Sequence, residues 1–384
     1  MKRTSAALVL GLFVTACAGL GGPGLDEERP TELDYIEDEL PVELIWQRDL
    51  GRGVGDLLMD HQLVLEDDVL YAALPGGRVW AVNADNGRRV WRRDLERYIV
   101  GGPGTGEGLV MLGTADGYVV ALERGSGRER WASRVSGEPL APATARAGIV
   151  VARTVDGRIY GFDARNGERL WVHETSVPTL TLRGVGSPVI VDDSRLVVGL
   201  DNGRLQMLEL QTGEVIWEAV VAVPSGRTEL ERLADVDGRP LVVRNSVYVA
   251  AYQGQVVEVS LTTGEVGWAR EFSSHQGLAR EGNRLFAVDD RSRIHALSRF
   301  TGSPAWLNEM LYRRDLTAPV VHGDHLLVGD YKGYVHWLTH SDGQLVARHR
   351  VDPFGVLAPT VTRDRDVFVL GRGGQLARLR LGQR

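Results

Sequence analysis

One cysteine in 384 residues, Cys17, leaves no partner for a disulfide and rules out a Cys-x-x-Cys redox or zinc motif. The apolar run from Ala6 to Val14 is too short to span a bilayer. Positive charge is nowhere concentrated. The formal net charge is −7, and it sits mostly between residues 26 and 43, where nine acids face only Arg29. The remainder of the chain is close to neutral, which excludes a nucleic-acid footprint. The nine histidines form no HExxH pair, and no GxSxG nucleophile elbow occurs. His322 with His325, and His336 with His340, have spacings a metal could use but offer no third ligand, so they read as turn and surface histidines. Gly102 to Gly106 imitates a phosphate loop without a lysine or a following helix and reads as an ordinary loop. Asp235-Val236-Asp237-Gly238 opens like a calcium loop, yet Arg239 and Ser246 stand where further oxygen ligands would be needed. No catalytic residue, metal or cofactor is expected.

What is present is one phrase repeated. A glycine opens an apolar alternation, a second glycine follows ten residues later in a turn, and a tryptophan follows four after that. The copies begin at Gly77, Gly117, Gly157, Gly203, Gly254, Ser292, Gly333 and Gly374, and the first six end at Trp91, Trp131, Trp171, Trp217, Trp268 and Trp306. Steps near 40 residues, with alternating strands joined by Asn-Gly and Asp-Gly turns, mark a β-propeller of four-stranded blades. A short inner strand precedes each copy, often after a proline, as at Pro142, Pro188, Pro319 and Pro359. Tryptophans at one fixed place per repeat read as wedges between blades, each burying about 150–250 Å2.

The last copy stops after its third strand. The missing fourth strand lies at the other end of the chain, where Ile45-Trp46-Gln47-Arg48-Asp49-Leu50 nearly duplicates Val90-Trp91-Arg92-Arg93-Asp94-Leu95. The expected fold is therefore all-β: an eight-bladed propeller of antiparallel blades, its ring closed by the N-terminal strand so that no sheet edge stays open.

Ahead of the propeller, Lys2-Arg3 and the short apolar run form a secretory signal. Val14-Thr15-Ala16-Cys17 resembles a bacterial lipobox, with Cys17 as the acylated residue. Ala18 follows, not the aspartate that commonly retains lipoproteins in the inner membrane, so outer-membrane attachment facing the periplasm is expected. The expected organisation is a signal peptide over 1–16, the lipidated cysteine and a flexible acidic linker over 17–41, and the propeller over 42–384.

The two longest steps, 46 and 51 residues, are consecutive, and their extra residues fall after Trp171 and Trp217. Both are connections from an outermost to an innermost strand, and all such connections emerge on one face. Departures from a repeat are where function usually lies. One connector offers Leu180, Leu182 and Arg183; the other carries Asp235 and Asp237 and is long enough for a short helical turn. On a second reading, Leu180 and Leu182 instead form the core face of an inner strand, and the acids, Asp235 and Asp237 among them, belong to a solvated loop.

With these features the chain resembles the BamB family, propeller lipoproteins of the bacterial outer-membrane β-barrel assembly machinery. The most specific stretches are Pro178 to Gly184 and Thr228 to Asp237; Leu327 to Asp330 is less specific. The resemblance implies no enzymatic activity. It implies binding to the periplasmic POTRA domains of BamA through Leu180, Leu182, Arg183, Asp235 and Asp237, and help in folding and inserting nascent outer membrane proteins. Quinone-dependent dehydrogenases share the tryptophan-bearing repeat but are longer and commonly carry adjacent cysteines, absent here. A ligand-binding periplasmic propeller is a further alternative.

Overall fold

The computed structural model describes residues 29–54, 60–181, 186–223, 227–228, 233–357 and 360–382. Eight antiparallel sheets follow one another around a ring. Blade 1 runs Leu63–Glu66, Val69–Leu74, Arg78–Asn83, Arg89–Asp94, and blade 2 runs Ile99–Gly106, Leu109–Thr114, Tyr118–Glu123, Glu129–Arg134. First strands of neighbouring blades touch one another and so line the hub. Middle strands are buried on both faces, Val110, Met111 and Leu112 among them. In the outermost strand the tryptophan is the buried residue, as Trp91 is between exposed neighbours. The core is correspondingly divided: apolar clusters form between successive blades, Met207 and Trp217 of blade 4 packing with Val247 and Val257 of blade 5 in one of them.

The expected closure is present. Val42–Asp49 pairs antiparallel with Gln375–Leu381, completing the sheet formed by Val361–Arg363 and Asp366–Leu370. Each outermost strand bulges one residue before the tryptophan position, and this strand does so between Leu44 and Trp46. The inner strands predicted after Pro142, Pro188 and Pro319 are Thr144–Arg146, Val189–Ile190 and Val320–His322.

Each repeat tryptophan leans on the next blade. The indole N–H of Trp91 donates to the carbonyl of Arg124 (2.8 Å), and those of Trp131, Trp171, Trp217, Trp268 and Trp306 make the equivalent bond one blade on. The ring also covers the turn glycine of that blade. Gly127 has φ 69°, and a Cβ there would collide with Trp91, so the glycine answers both the turn and the close approach. Blade 7 (Val320–His322, His325–Gly329, Tyr334–Thr339, Leu345–Arg350) differs: Ala347 occupies the tryptophan position and faces the fully buried Trp337 across the strand pair. Its neighbour, blade 8, has no turn there, because its third strand runs into the C-terminal residues and its fourth comes from the other end of the chain. Residues 39–41 fill the place instead. Leu40 N donates to Val346 O (2.9 Å), Gly382 N to Pro41 O (2.7 Å), and Arg348 N to a Glu39 carboxylate oxygen (3.2 Å).

The acidic segment is described from Arg29 onward, and from Thr31 it lies along blades 6 and 7. Thr31 N donates to Tyr312 O, Arg314 donates to Thr31 O (2.8 Å), Leu33 packs on the cluster containing Leu311 and Leu316, and Ile36 is buried. These apolar residues, spaced among the acids, give the segment something to bury.

One expectation is corrected. Gly102 to Gly106 is no loop but part of the inner strand of blade 2. Inner strands of blades 2 and 3 approach so closely that a Cβ at Gly101 or Gly104 would strike the carbonyls of Pro139 or Ala143. The glycines serve close packing near the hub. A two-residue strand, Asp60–His61, adds in parallel to this same strand on its hub side, a feature without a sequence signal.

Candidate partner-binding surface

In a four-stranded antiparallel blade, the turn between the second and third strands and the connector to the next blade lie on the same face. Blade 3 ends with Arg169–Glu174; blade 4 runs Val189–Ile190, Arg195–Gly199, Arg204–Glu209, Val215–Val220; blade 5 opens with Leu241–Val243. The two enlarged connectors are thus residues 175–188 and 221–240, on either side of blade 4. They meet at its Asn202-Gly203 turn. The Asn202 amide donates to Ser176 Oγ (3.1 Å) of the first, while the Gly203 carbonyl accepts from Val221 N (2.8 Å) and Ala222 N (2.9 Å) of the second.

Beneath the meeting point is a buried ion pair that the sequence did not single out. Arg153, at the end of the second strand of blade 3, is fully buried and donates to Asp201 Oδ1 at 2.7 Å. Its other terminal nitrogen donates to the carbonyls of Gly199 (2.8 Å) and Gly186 (3.4 Å), the latter near the end of the first connector. Val236 of the second connector lies directly on this floor. Its N–H donates to Leu200 O (3.1 Å), and its own carbonyl packs so closely that neither Gly186 nor Gly199 could carry a Cβ. One guanidinium therefore ties two blades and the first connector together, and Val236 of the second connector packs on the same floor. Lone arginines at strand ends are common in this chain, and only the fold shows that this one has no route to water.

The five expected binding residues divide by position. Leu182 and Arg183 lie outside the described residues, as does the lipobox cysteine, Cys17. Leu180 is in the first connector, outside any strand, and is 40% exposed, so it does not belong to the core face of an inner strand. Val177 in the same connector and Val223 in the other are also exposed, Val223 to 73%. Asp235 is completely buried, its carbonyl accepting from Tyr252 N (2.9 Å), and Asp237 is half-buried. Together the two connectors present apolar side chains to solvent over a rigid, charge-paired floor, with the two acids set below the surface. Among the described residues of the second connector no helical turn occurs; its residues 224–226 and 229–232 lie outside them.

Two of the histidines considered as ligands, His336 and His322, have other partners. His336 is fully buried and hydrogen-bonds Asp330 Oδ2 (3.0 Å), which also accepts from Arg314; His322 meets the carbonyl of Asp364 (3.0 Å). Among the described residues no three metal-ligating side chains cluster.

Residues 75–308 match the family model described as outer membrane protein assembly factor BamB. A relative of that name from Alkalilimnicola ehrlichii is 45% identical, the match covering 99% of this chain and 97% of the relative. The crystal structure of BamB from Moraxella catarrhalis superposes with a TM-score of 0.82 at 28% identity, covering 89% of this chain and all of that one. A quinohemoprotein alcohol dehydrogenase from Comamonas testosteroni superposes with a TM-score of 0.67 at 14% identity, over 89% of this chain and 77% of that one, which is a likeness of fold alone.

Proposed function

This chain belongs to the BamB family of outer membrane protein assembly factors, and from that premise we propose that it is a non-catalytic scaffold of the β-barrel assembly machinery. It is anchored in the outer membrane through acylated Cys17, faces the periplasm, and binds the POTRA domains of BamA to assist folding and insertion of outer membrane proteins. The observation that carries this reading is the convergence of the two longest connectors over Arg153 and Asp201, with Leu180, Val177 and Val223 exposed above them. Exposed apolar side chains on a braced surface suit a partner interface better than free solvent. Leu180, Leu182 and Arg183 supply the contact. Asp235 and Asp237, set lower, hold the connectors in the shape that presents it.

The test is capture of purified BamA POTRA domains by variants that are first shown to melt like the parent. Arg183→Glu, or Leu180 and Leu182 changed together to serine, should weaken binding at least about 30-fold, as loss of a hot-spot contact of about 2 kcal/mol does. Asp235→Ala should weaken it less than Arg183→Glu, which adds a repulsive charge as well as removing a contact. Full capture by a folded Arg183→Glu variant would place the interface elsewhere.

A further inference from the structure

The face opposite the long connectors is built from the turns joining first to second and third to fourth strands. Blade 6 runs Ala279–Glu281, Arg284–Val288, Ile294–Ser298, Pro304–Asn308. Where its turns meet those of blade 5 there is a cavity of about 650 Å3. Leu241 and Val243 form part of its wall, and Arg244, Arg280, Arg299 and Asn283 line it as well. Among the described residues, none of the three guanidinium groups is in an ion pair with a carboxylate.

The ring contains its own comparison. Blade 2 also has an arginine at the position of Arg299, namely Arg124; the carbonyl of each accepts the indole N–H of the preceding blade's tryptophan. Arg124 reaches back to blade 1 and is neutralised there by Glu66 and by Asp67 at 2.7 Å. In blade 5 the corresponding residues are Val243 and Arg244, since Val243 pairs with Ser246 across the same two-residue turn that Glu66 and Val69 close. Between blades 5 and 6 both carboxylates are missing, and one has become a second cation.

Two of the three cations are also held in place. The Arg299 guanidinium lies 4.1 Å from the centroid of the Phe300 ring, and Arg280 donates to the carbonyl of Gly282 (3.1 Å). Arg244 has φ 54°, at the left-handed turn position that Asp67, Glu107, Ala147, Gly282, Gly323 and Asp364 take in other blades.

Like charges gathered around a partly apolar cavity repel one another unless an anion lies among them. We infer that this cavity is a binding site for a phosphate-bearing ligand. Guanidinium forks match phosphate oxygens in pairs, Asn283 can add a donor, and Leu241 and Val243 offer a surface for the organic group the phosphate carries. Cavities of this size suit small organic ligands. A soluble phosphate ester and a phospholipid headgroup share this chemistry.

The experiment uses the full chain carrying Cys17→Ser, so that no acyl anchor intervenes. Inorganic pyrophosphate is titrated calorimetrically, and flotation is measured with vesicles of phosphatidylglycerol and, as the neutral control, phosphatidylcholine. Saturable pyrophosphate binding is expected, weakened about tenfold or more by Arg299→Ala and by Arg244→Gly, each of which removes charge-assisted hydrogen bonds. Arg124→Ala, in the neutralised copy of the site, should leave it unchanged. Flotation with phosphatidylglycerol that depends on Arg244 and Arg299 assigns the site to a lipid headgroup; arginine-dependent pyrophosphate binding without flotation assigns it to a soluble phosphate. Binding of neither probe, or binding indifferent to Arg244 and Arg299 in variants that melt normally, overturns the proposal. POTRA-domain capture by the same variants should be unchanged, which separates this site from the opposite face.

Discussion

The indole Nε1 of Trp46 lies 3.0 Å from the carbonyl oxygen of Ala84, a hydrogen bond from the strand that closes blade 8 to the turn of blade 1. The same ring covers Gly87 of that turn, whose φ of 66° and missing Cβ make room for it. Polar ties run beside it. Arg363 of blade 8 pairs with Asp68 and Asp85 of blade 1, both at 2.6 Å, and Arg378 donates to the carbonyl of Asp85.

Trp46→Ala should therefore weaken the ring at its seam. Truncation of a packed tryptophan costs about 3–5 kcal/mol, and partial exposure of Trp46 places the expected loss near the lower end. Denaturant unfolding is the measurement. Deleting residues 42–50 should be worse, exposing the edge of Gln375–Leu381; an unchanged melting temperature for the deletion would remove the closing strand from the account of stability.

Arg153→Met should destabilise by about 3–5 kcal/mol, because it strands Asp201 as a buried, unpaired charge. Pairing it with Asp201→Leu should recover most of the loss, since two apolar residues leave no charge behind. If the double variant is as unstable as the sum of the singles, the two residues are not coupled. POTRA-domain capture should fall in both, because Gly186 loses its donor.

Stability should decline as pH drops below about 6.5, the ordinary histidine value. Burial pushes the imidazoles of His322, His325, His336 and His349 below that value, and for His336 it outweighs the neighbouring Asp330. The unfolded chain then binds protons that the folded chain refuses, so acid favours unfolding by up to about 1.4 kcal/mol per pH unit for each such group. Burial would raise the carboxyls of Asp330 and Asp366, but His336 and Arg314 around the first, and Arg378 and Arg380 around the second, hold both low. Their contribution is complete above the usual carboxylate range and is lost as pH falls through their lowered values. His336→Gln, whose amide can still donate to Asp330, should flatten the decline between pH 7 and 5; an identical slope would acquit this histidine.

If Cys17 carries the acyl anchor proposed above, Cys17→Ala should leave the protein in the soluble periplasmic fraction or held by an uncleaved signal. Fractionation of cells lacking the assembly complex decides the matter. The variant still found with the outer membrane there would require another anchor.

The parts of the fold readable in the sequence are those the ring repeats. Gly87, Gly127 and Gly167 recur because each sits under the tryptophan of the preceding blade, so blade number, closure and wedges all follow from one spacing. Features that occur once leave no such trace. Asp60–His61 is two residues long, and the glycines from 101 to 106 answer a close approach of inner strands that no local pattern announces. Of the candidate surface, the enlarged connectors and Leu180 were legible from irregular spacing. Arg153 was not, because its importance depends on Asp201 and Gly186 being brought to it by other blades. Asp235 read as a surface acid because nothing in a loop sequence tells that Val236 beside it will anchor on Leu200 and draw the backbone inward.

The course of residues 31–41 has a mechanical consequence. A tug on the N terminus does not reach the closing strand first; it is met at Thr31, bonded to Tyr312 and Arg314, then at Leu33 and at Leu40, before any tension arrives at Val42. Those grips lie on blades 6 and 7, ahead of the strand pairing that joins the chain's two ends. The segment acts as a cable clamp acts at a plug: force entering along the leash is shed into the housing, and the joint that would open most easily is spared.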